Sequence, residues 1–186
     1  MPELREETSD ASKRVRYVIR QRSYPAGFQL TVEDAVRQPM FLVRPRPADS
    51  SRYVVSPAKE GRKIVFVIKM ARIGLATRYT VFDGASERFS ILQEFSVGEF
   101  LLRDGKRKTI ARFKPLGPGT VVLCTPSTVL ARLRLIENAG PEGLRIDCDT
   151  KAGPDWLLAI LLYAVAVTEV MTQPESAQER ARVIQA

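Results

Sequence analysis

Thirteen consecutive residues without a charge, Trp156 to Thr168, stand near the end of the chain between Asp155 and Glu169. A helix of that length measures about 20 Å, whereas a bilayer core is about 30 Å thick and asks for about 20 apolar residues. Apolar side chains cover every side of its helical wheel, and a helix that is apolar all round must be buried all round. The segment therefore predicts a buried core helix that the remaining chain has to wrap.

The ends of this helix are marked in the sequence. Asp155 follows Gly153 and Pro154 and suits the N-cap or the first turn, where a carboxylate meets the positive end of the helix dipole. Pro174 lies past the other end, where a helix cannot continue. The positions expected to pack against the wrapping strands are Trp156, Leu158, Ala159, Leu161, Leu162, Val165 and Ala166.

The chain before the helix reads as a series of β-hairpins. Asp83-Gly84 and Asp104-Gly105 each separate two β-branched or aromatic runs, and Asp-Gly accepts the positive φ angles of a tight hairpin turn. Other Gly and Pro residues divide the rest of this region at intervals of roughly ten to fifteen residues. The pattern predicts about a dozen strands, near residues 15–19, 28–32, 40–43, 53–55, 64–68, 78–82, 88–92, 100–102, 109–113, 120–124, 129–135 and 144–148.

A closed antiparallel β-barrel with the helix in its lumen satisfies both patterns, because closure removes exposed strand edges and the lumen surrounds the helix. We predict a mainly β fold, α+β by element count, with about twelve strands around a central C-terminal helix. Residues 14–172 would form this one domain, residues 1–13 a flexible acidic N-terminus, and residues 173–186 a polar tail. No internal repeat is evident, and Arg44 to Ser51 is interpreted as a long barrel loop.

Two stretches resemble a known family. Ile146 to Ile160, followed by Ala164 to Glu169, is similar to the end of LURP-one-related and phospholipid-scramblase-like proteins, and Gly27 to Asp34 with Pro39 to Val43 is similar to their early hairpin. The resemblance spans about residues 14–171 and implies the tubby C-terminal-like fold, a barrel around a central helix. It also implies phosphoinositide binding, although the headgroup residues of that family cannot be matched here one by one.

Positive charge is concentrated in the body of the chain. The net charge is +8, but residues 13–114 hold 22 Lys and Arg against 9 Asp and Glu, a local net charge of +13. Such a field attracts anionic headgroups, membranes or nucleic acid, although basic side chains on a barrel can also be no more than a solvated outer face. The candidate headgroup-binding residues are Arg44, Arg46, Arg103, Lys106, Arg107, Lys108, Arg132 and Arg134, and a further basic pair is Arg14 and Arg16.

Catalytic chemistry finds little support in the composition. The chain has no histidine, which is the commonest general base and metal ligand, and its two cysteines are too few for a structural zinc site. No nucleophile elbow, Walker loop or dinucleotide fingerprint occurs. We therefore expect no enzyme and no cofactor. Cys124 and Cys148 share strand parity with apolar neighbours, which predicts reduced thiols that face the core.

Asp147, Asp149 and Asp155 form the one carboxylate cluster of note. Three hard oxygen ligands suit calcium, but Lys151 lies among them and no EF-hand spacing is present. Solvated or helix-capping carboxylates are the simpler interpretation, so no metal is assigned.

These observations predict a non-enzymatic cytoplasmic barrel, peripheral at the membrane, that binds anionic membrane lipid headgroups through its basic outer surface. The acidic N-terminal residues resemble neither a secretory signal nor a mitochondrial presequence. A scramblase-like role for the helix is the first alternative. Nucleic-acid binding ranks below lipid binding, because no aromatic residues alternate with the basic ones as stacking platforms. Protein partners remain a further class.

Overall fold

A computed structural model describes residues 14–25, 27–60, 63–74, 76–94, 99–137, 143–151 and 153–172. Over these ranges the chain forms twelve β-strands and then one α-helix. The predicted terminal segments 1–13 and 173–186 lie outside the described residues. The elements are β1 (Arg14–Tyr24), β2 (Gly27–Glu33), β3 (Pro39–Arg46), β4 (Asp49–Pro57), β5 (Phe66–Ile73), β6 (Ala76–Asp83), β7 (Ser86–Glu94), β8 (Glu99–Asp104), β9 (Thr109–Gly117), β10 (Thr120–Cys124), β11 (Val129–Glu137), β12 (Leu144–Lys151) and α1 (Pro154–Thr172).

The strands close into one antiparallel barrel. Each strand pairs with its neighbours in the chain, and β1 pairs with β12, as between Ile19 and Ile146. The predicted closed barrel is therefore confirmed. Along each strand, side chains alternate between the lumen and the outer surface, which places the apolar residues of one parity around the helix.

Two local predictions differ from the structure. Strand β5 begins at Phe66, and Ile64 lies in the preceding connection with about half of its surface exposed. The predicted long loop from Arg44 to Ser51 is wrong, because only residues 47–48 separate β3 from β4. Asp49 stabilises this short turn by accepting a hydrogen bond from the backbone N–H of Ser51 at 3.0 Å.

Helix α1 runs through the barrel lumen. Every residue from Leu157 to Thr168 is buried, and among the predicted core positions Leu158, Leu161, Leu162 and Val165 are each at most 5% exposed. The burial predicted for Ala159 and Ala166 is also confirmed. Only Trp156 differs, being partly buried where the helix enters the barrel.

An aromatic cluster fixes the middle of the helix against the wall. The ring of Tyr163 stacks on Phe113 with centroids 4.4 Å apart and meets the edge of Phe100 at 5.3 Å. Such ring pairs add about 0.5–1.5 kcal/mol beyond the burial of their surface. The helix is thus the centre of the hydrophobic core.

The antiparallel order gives the barrel two distinct ends. At the helix-entry mouth, where α1 begins, lie Asp83, Asp104 and Lys151. At the helix-exit mouth, where α1 ends, lie Tyr24 and Arg46.

Strands β1–β6 and β7–β12 have equivalent registers. Ile19 pairs with Val32 between β1 and β2, and Ile91 pairs with Leu102 between β7 and β8. The irregularity in register that follows Val32 has its counterpart directly after Leu102. The barrel therefore consists of two six-stranded halves that repeat each other in pairing, although no repeat is evident in the sequence.

The connections β2–β3 and β8–β9 show this equivalence most closely. In the first, Asp34 Oδ1 accepts the backbone N–H groups of Val36 and Gln38, and Arg37 adopts a φ of 62°. In the second, Asp104 Oδ1 accepts those of Lys106 and Lys108, and Arg107 adopts a φ of 64°. The predicted hairpin at Asp104-Gly105 is confirmed, but the positive φ falls on Arg107, whereas at Asp83-Gly84 it falls on Gly84, with φ 59°.

Candidate anion-binding site

The predicted basic residues occupy three separate places on the barrel. Arg44 and Arg46 lie on β3 toward the helix-exit mouth, where Arg46 borders the same opening as Glu169. Arg103 is the second-last residue of β8, and Lys106, Arg107 and Lys108 lie in the following loop at the helix-entry mouth. Because β3 and β9 are six positions apart in a ring of twelve strands, these two sets lie on opposite sides and do not form one patch.

The third set, Arg132 and Arg134, lies in a groove on the outer wall. The groove has a volume of about 560 Å³ and runs over β10, β11, β12 and β1. We call it the arginine groove. Its charged lining consists of Arg16, Arg132, Arg134, Arg145, Asp147 and Asp149.

Strand register brings these side chains together. Asp149 on β12 lies directly between Arg16 on β1 and Arg132 on β11. Two residues earlier on β12, Asp147 lies directly beside Arg134 on β11. Alternation sends their neighbours Leu133, Ile146 and Cys148 into the core, which anchors the strands that carry the charges.

The carboxylates neutralise only part of this positive charge. Arg145 Nε donates to Asp147 Oδ1 at 2.7 Å and its Nη2 donates to Oδ2 at 3.1 Å, while Asp149 Oδ1 lies 3.5 Å from Arg14 Nη1.

Within the described ranges, Arg16, Arg132 and Arg134 have no ion pair. Each guanidinium offers N–H donors in a planar fork that matches the oxygens of phosphate or carboxylate. Three unpaired guanidiniums that border one groove can therefore bind an anion together.

The three candidate calcium ligands do not come together. Asp155 lies at the helix-entry mouth, where its Oδ1 pairs with Arg88 Nη2 at 3.2 Å, whereas Asp147 and Asp149 face the arginine groove. The part of the chain that the structure describes contains no group of three or more His, Cys, Asp or Glu side chains that could hold a metal ion. The expected first-turn position of Asp155 is confirmed.

Sequence reasoning missed two features of the groove. Arg145 was not among the candidates, and Arg16 was noted only as a member of a basic pair. The alternation of Arg145, Asp147 and Asp149 along one strand did signal a common charged face. The approach of Arg16 depends on closure between β1 and β12, which are separated by most of the chain.

The two thiols face opposite sides of the wall. Cys148 is buried in the lumen as predicted, and burial, assisted by the charge of Asp149, raises its pKa to about 12. The prediction for Cys124 is wrong: it is only partly buried and pairs with the outward Arg112. Its parity was misread because Val122 is an apolar residue of the outer face, paired with Arg132 and Lys114. The buried and protonated thiol of Cys148 is therefore not an activated nucleophile.

No protein-family model, curated protein or solved structure matches the chain. Within the described ranges, residues 155–172 of α1 form one helix that is long and apolar enough, by length and composition alone, to cross a membrane. The core helix of a soluble protein has the same properties, and most of this segment is buried in the barrel.

Proposed function

We propose that the protein binds the phosphate-bearing headgroups of anionic membrane lipids, of the phosphoinositide type, at the arginine groove, and that it does so without catalysing a reaction. The observation that carries the proposal is the set of three guanidiniums, on Arg16, Arg132 and Arg134, that border one groove without an ion pair among the described residues. The resemblance to proteins with tubby-like domains points in the same direction.

The guanidinium groups of the groove favour specific binding of phosphate over a non-specific attraction to any anion. Arginine binds phosphate through paired N–H donors, which gives geometric specificity as well as affinity. Arg16 is separated from Arg132 and Arg134 by β12, so a headgroup with more than one phosphate can contact both sides of the groove. Asp147 holds Arg145 in place by accepting two hydrogen bonds from its guanidinium group.

Vesicle co-sedimentation tests this proposal. We expect the protein to pellet with vesicles that contain a phosphoinositide, to remain in solution with purely zwitterionic vesicles, and to be released by raised salt. A soluble inositol polyphosphate should compete. Negligible pelleting with every vesicle at both salt concentrations would refute the proposal.

A charge-matched pair of variants locates the binding site. Replacing both Arg132 and Arg134 with Gln should weaken binding about thirtyfold, since each basic residue near an anionic membrane contributes about 1 kcal/mol. The control replaces Lys106 and Lys108 with Gln, removes the same charge at the helix-entry mouth, and should change affinity less than about threefold. Equal losses in both variants would mean that net charge, rather than the groove, binds the membrane.

The scramblase-like alternative requires α1 to leave the barrel. Extraction would expose the apolar lining of the lumen, and would carry Asp155 and Glu169 toward the bilayer. A filter-binding assay tests the nucleic-acid alternative. Tight and salt-sensitive retention of DNA or RNA, without vesicle binding, would favour nucleic-acid binding over lipid binding.

A further inference from the structure

The lumen is incompletely filled at the helix-entry mouth. A cavity of about 440 Å³ lies there between α1 and the barrel wall. We call it the entry-mouth pocket. Small-molecule sites typically measure about 300–1,000 Å³ and are mostly apolar with a few polar groups. Its apolar lining includes Met40, Phe41 and Phe66 from the strands and Leu157, Leu158 and Leu161 from the helix.

The lining of the pocket favours an alkyl chain. Asp155 at the opening and Leu161 both line the pocket and are six residues apart in α1, so it extends about 9 Å along the helix axis. Leu157, Leu158 and Leu161 on the helical side are nearly fully buried, and the strand side is held by the closed barrel, so the space is preformed. A linear alkyl chain presents no polar atom that such a lining would leave without a hydrogen bond.

The charged side chains at the opening indicate the charge that the head group of a ligand would carry. Arg88 pairs with Asp155, and both side chains are about half exposed, so this pair is weak and exchangeable. Asp83 also borders the pocket and has no ion pair among the described residues. The three charged side chains that line the opening therefore leave one negative charge. Lys106, Arg107, Lys108 and Lys151 lie at the same mouth but do not line the pocket, so among the described residues Asp83 is the unpaired charge that borders a ligand bound in it.

We infer that the entry-mouth pocket binds a linear alkyl chain with a cationic ammonium head, the chain lying along α1 and the head beside Asp83. The site is separate from the arginine groove, because one opens into the lumen and the other lies on the outer wall. The inference therefore does not depend on the proposed lipid-headgroup function.

Three ligands of equal chain length provide the test: decyltrimethylammonium, decanol and decanoate, each below its critical micelle concentration. Isothermal titration calorimetry should show one site per chain, with the ammonium compound bound at least about tenfold more tightly than the carboxylate. Trp156 is the single tryptophan of the chain and lies between two pocket residues, so its emission should change on binding.

Matched variants separate the pocket from adventitious binding. Met40→Trp fills the pocket and should weaken ammonium binding at least about tenfold, whereas Met70→Trp adds the same bulk at the helix-exit mouth and should leave it unchanged. Asp83→Asn should reduce the preference for ammonium over alcohol, while Glu137→Gln, on an exposed strand end, should retain it.

The Arg132→Gln/Arg134→Gln variant should bind the ammonium ligand like the wild-type protein, which keeps this inference distinguishable from the failure of headgroup binding. The absence of binding by all three ligands, equal affinity in Met40→Trp and wild type, or a preference for decanoate would overturn it.

Discussion

At the scale of single residues, the contrast between the two thiols makes reactivity predictable. Cys124 is partly exposed on the outer wall, whereas Cys148 is 3% exposed in the lumen. Because the thiolate is the reactive form, a buried and protonated thiol should resist modification. We expect a thiol reagent at neutral pH to label one cysteine per folded chain, and Cys124→Ser to abolish that labelling until denaturant is added. Labelling of two thiols in the folded protein would contradict the assigned orientations.

The raised pKa of Cys148 also predicts a stability profile. In the folded protein this pKa lies at about 12, above an ordinary value of 9.0, so the unfolded thiol ionises first as pH rises. The resulting stabilisation is complete below pH 9 and is lost progressively between pH 9 and 12. At pH 10 the loss should be on the order of 1 kcal/mol.

Urea unfolding of the wild type and of Cys148→Ala at pH 7.5, 9 and 10 measures this effect. The variant should be less stable at pH 7.5 because of its cavity, but it should lose less stability on going to pH 10. Burial also raises the pKa values of Tyr17 and Tyr163 above 10.0, so part of the alkaline loss should remain in the variant. Identical pH dependence in both proteins would exclude a contribution from Cys148.

At the scale of single elements, α1 is the part of the molecule on which the barrel depends most. Leu161→Asp would bury an unpaired carboxylate at a cost of several kcal/mol, against a total stability of about 5–15 kcal/mol for a typical domain. Leu116→Asp is a matched control, because Leu116 is 60% exposed on β9 and should change stability by about 0.5 kcal/mol or less. Thermal unfolding followed by circular dichroism should show little folded Leu161→Asp protein and a nearly normal control. Equal melting temperatures would contradict a central helix.

The two equivalent hairpin loops should respond equally to mutation. Asp34→Ala and Asp104→Ala each remove two hydrogen bonds to backbone N–H groups, and each should destabilise the protein by about 1 kcal/mol. Glu60→Ala removes only a 3.7 Å exposed ion pair and should cost less than about 0.5 kcal/mol. A difference of more than about 1 kcal/mol between the two Asp variants, measured by urea unfolding, would show that the loops are not energetically equivalent.

At the scale of the whole molecule, sequence patterns predicted the secondary-structure elements better than the contacts between strands that are distant in the chain. The helix and its burial followed from the uncharged run, and the strands followed from β-branched runs between turn residues. The arginine groove could not be predicted in this way. Arg16 on β1 and Arg145 on β12 come close to each other only because β1 pairs with β12, and no local sequence pattern encodes that pairing. The two-half arrangement was hidden because pairing registers and loop geometry are repeated while the side chains differ.

Comparison of the halves also shows that one charged pair of the groove has no counterpart in the other half. By register, Arg145 corresponds to Arg78, but Asp147 corresponds to Thr80. Strand β6 therefore lacks a carboxylate that corresponds to Asp147, which holds Arg145 in position on β12. The barrel wall thus carries an ordered charged groove over β10, β11, β12 and β1 and a different set of side chains over the corresponding strands β4, β5, β6 and β7.

The central claim, that an anionic headgroup binds in the arginine groove, is tested most directly by nuclear magnetic resonance. A soluble inositol polyphosphate would be titrated into labelled protein while backbone amide and arginine Nε–H signals are followed. The account predicts shifts on β10, β11, β12 and β1, with the side-chain signals of Arg16, Arg132 and Arg134 affected most. Shifts centred on the loop of Lys106 to Lys108, or spread evenly over the basic surface, would contradict it.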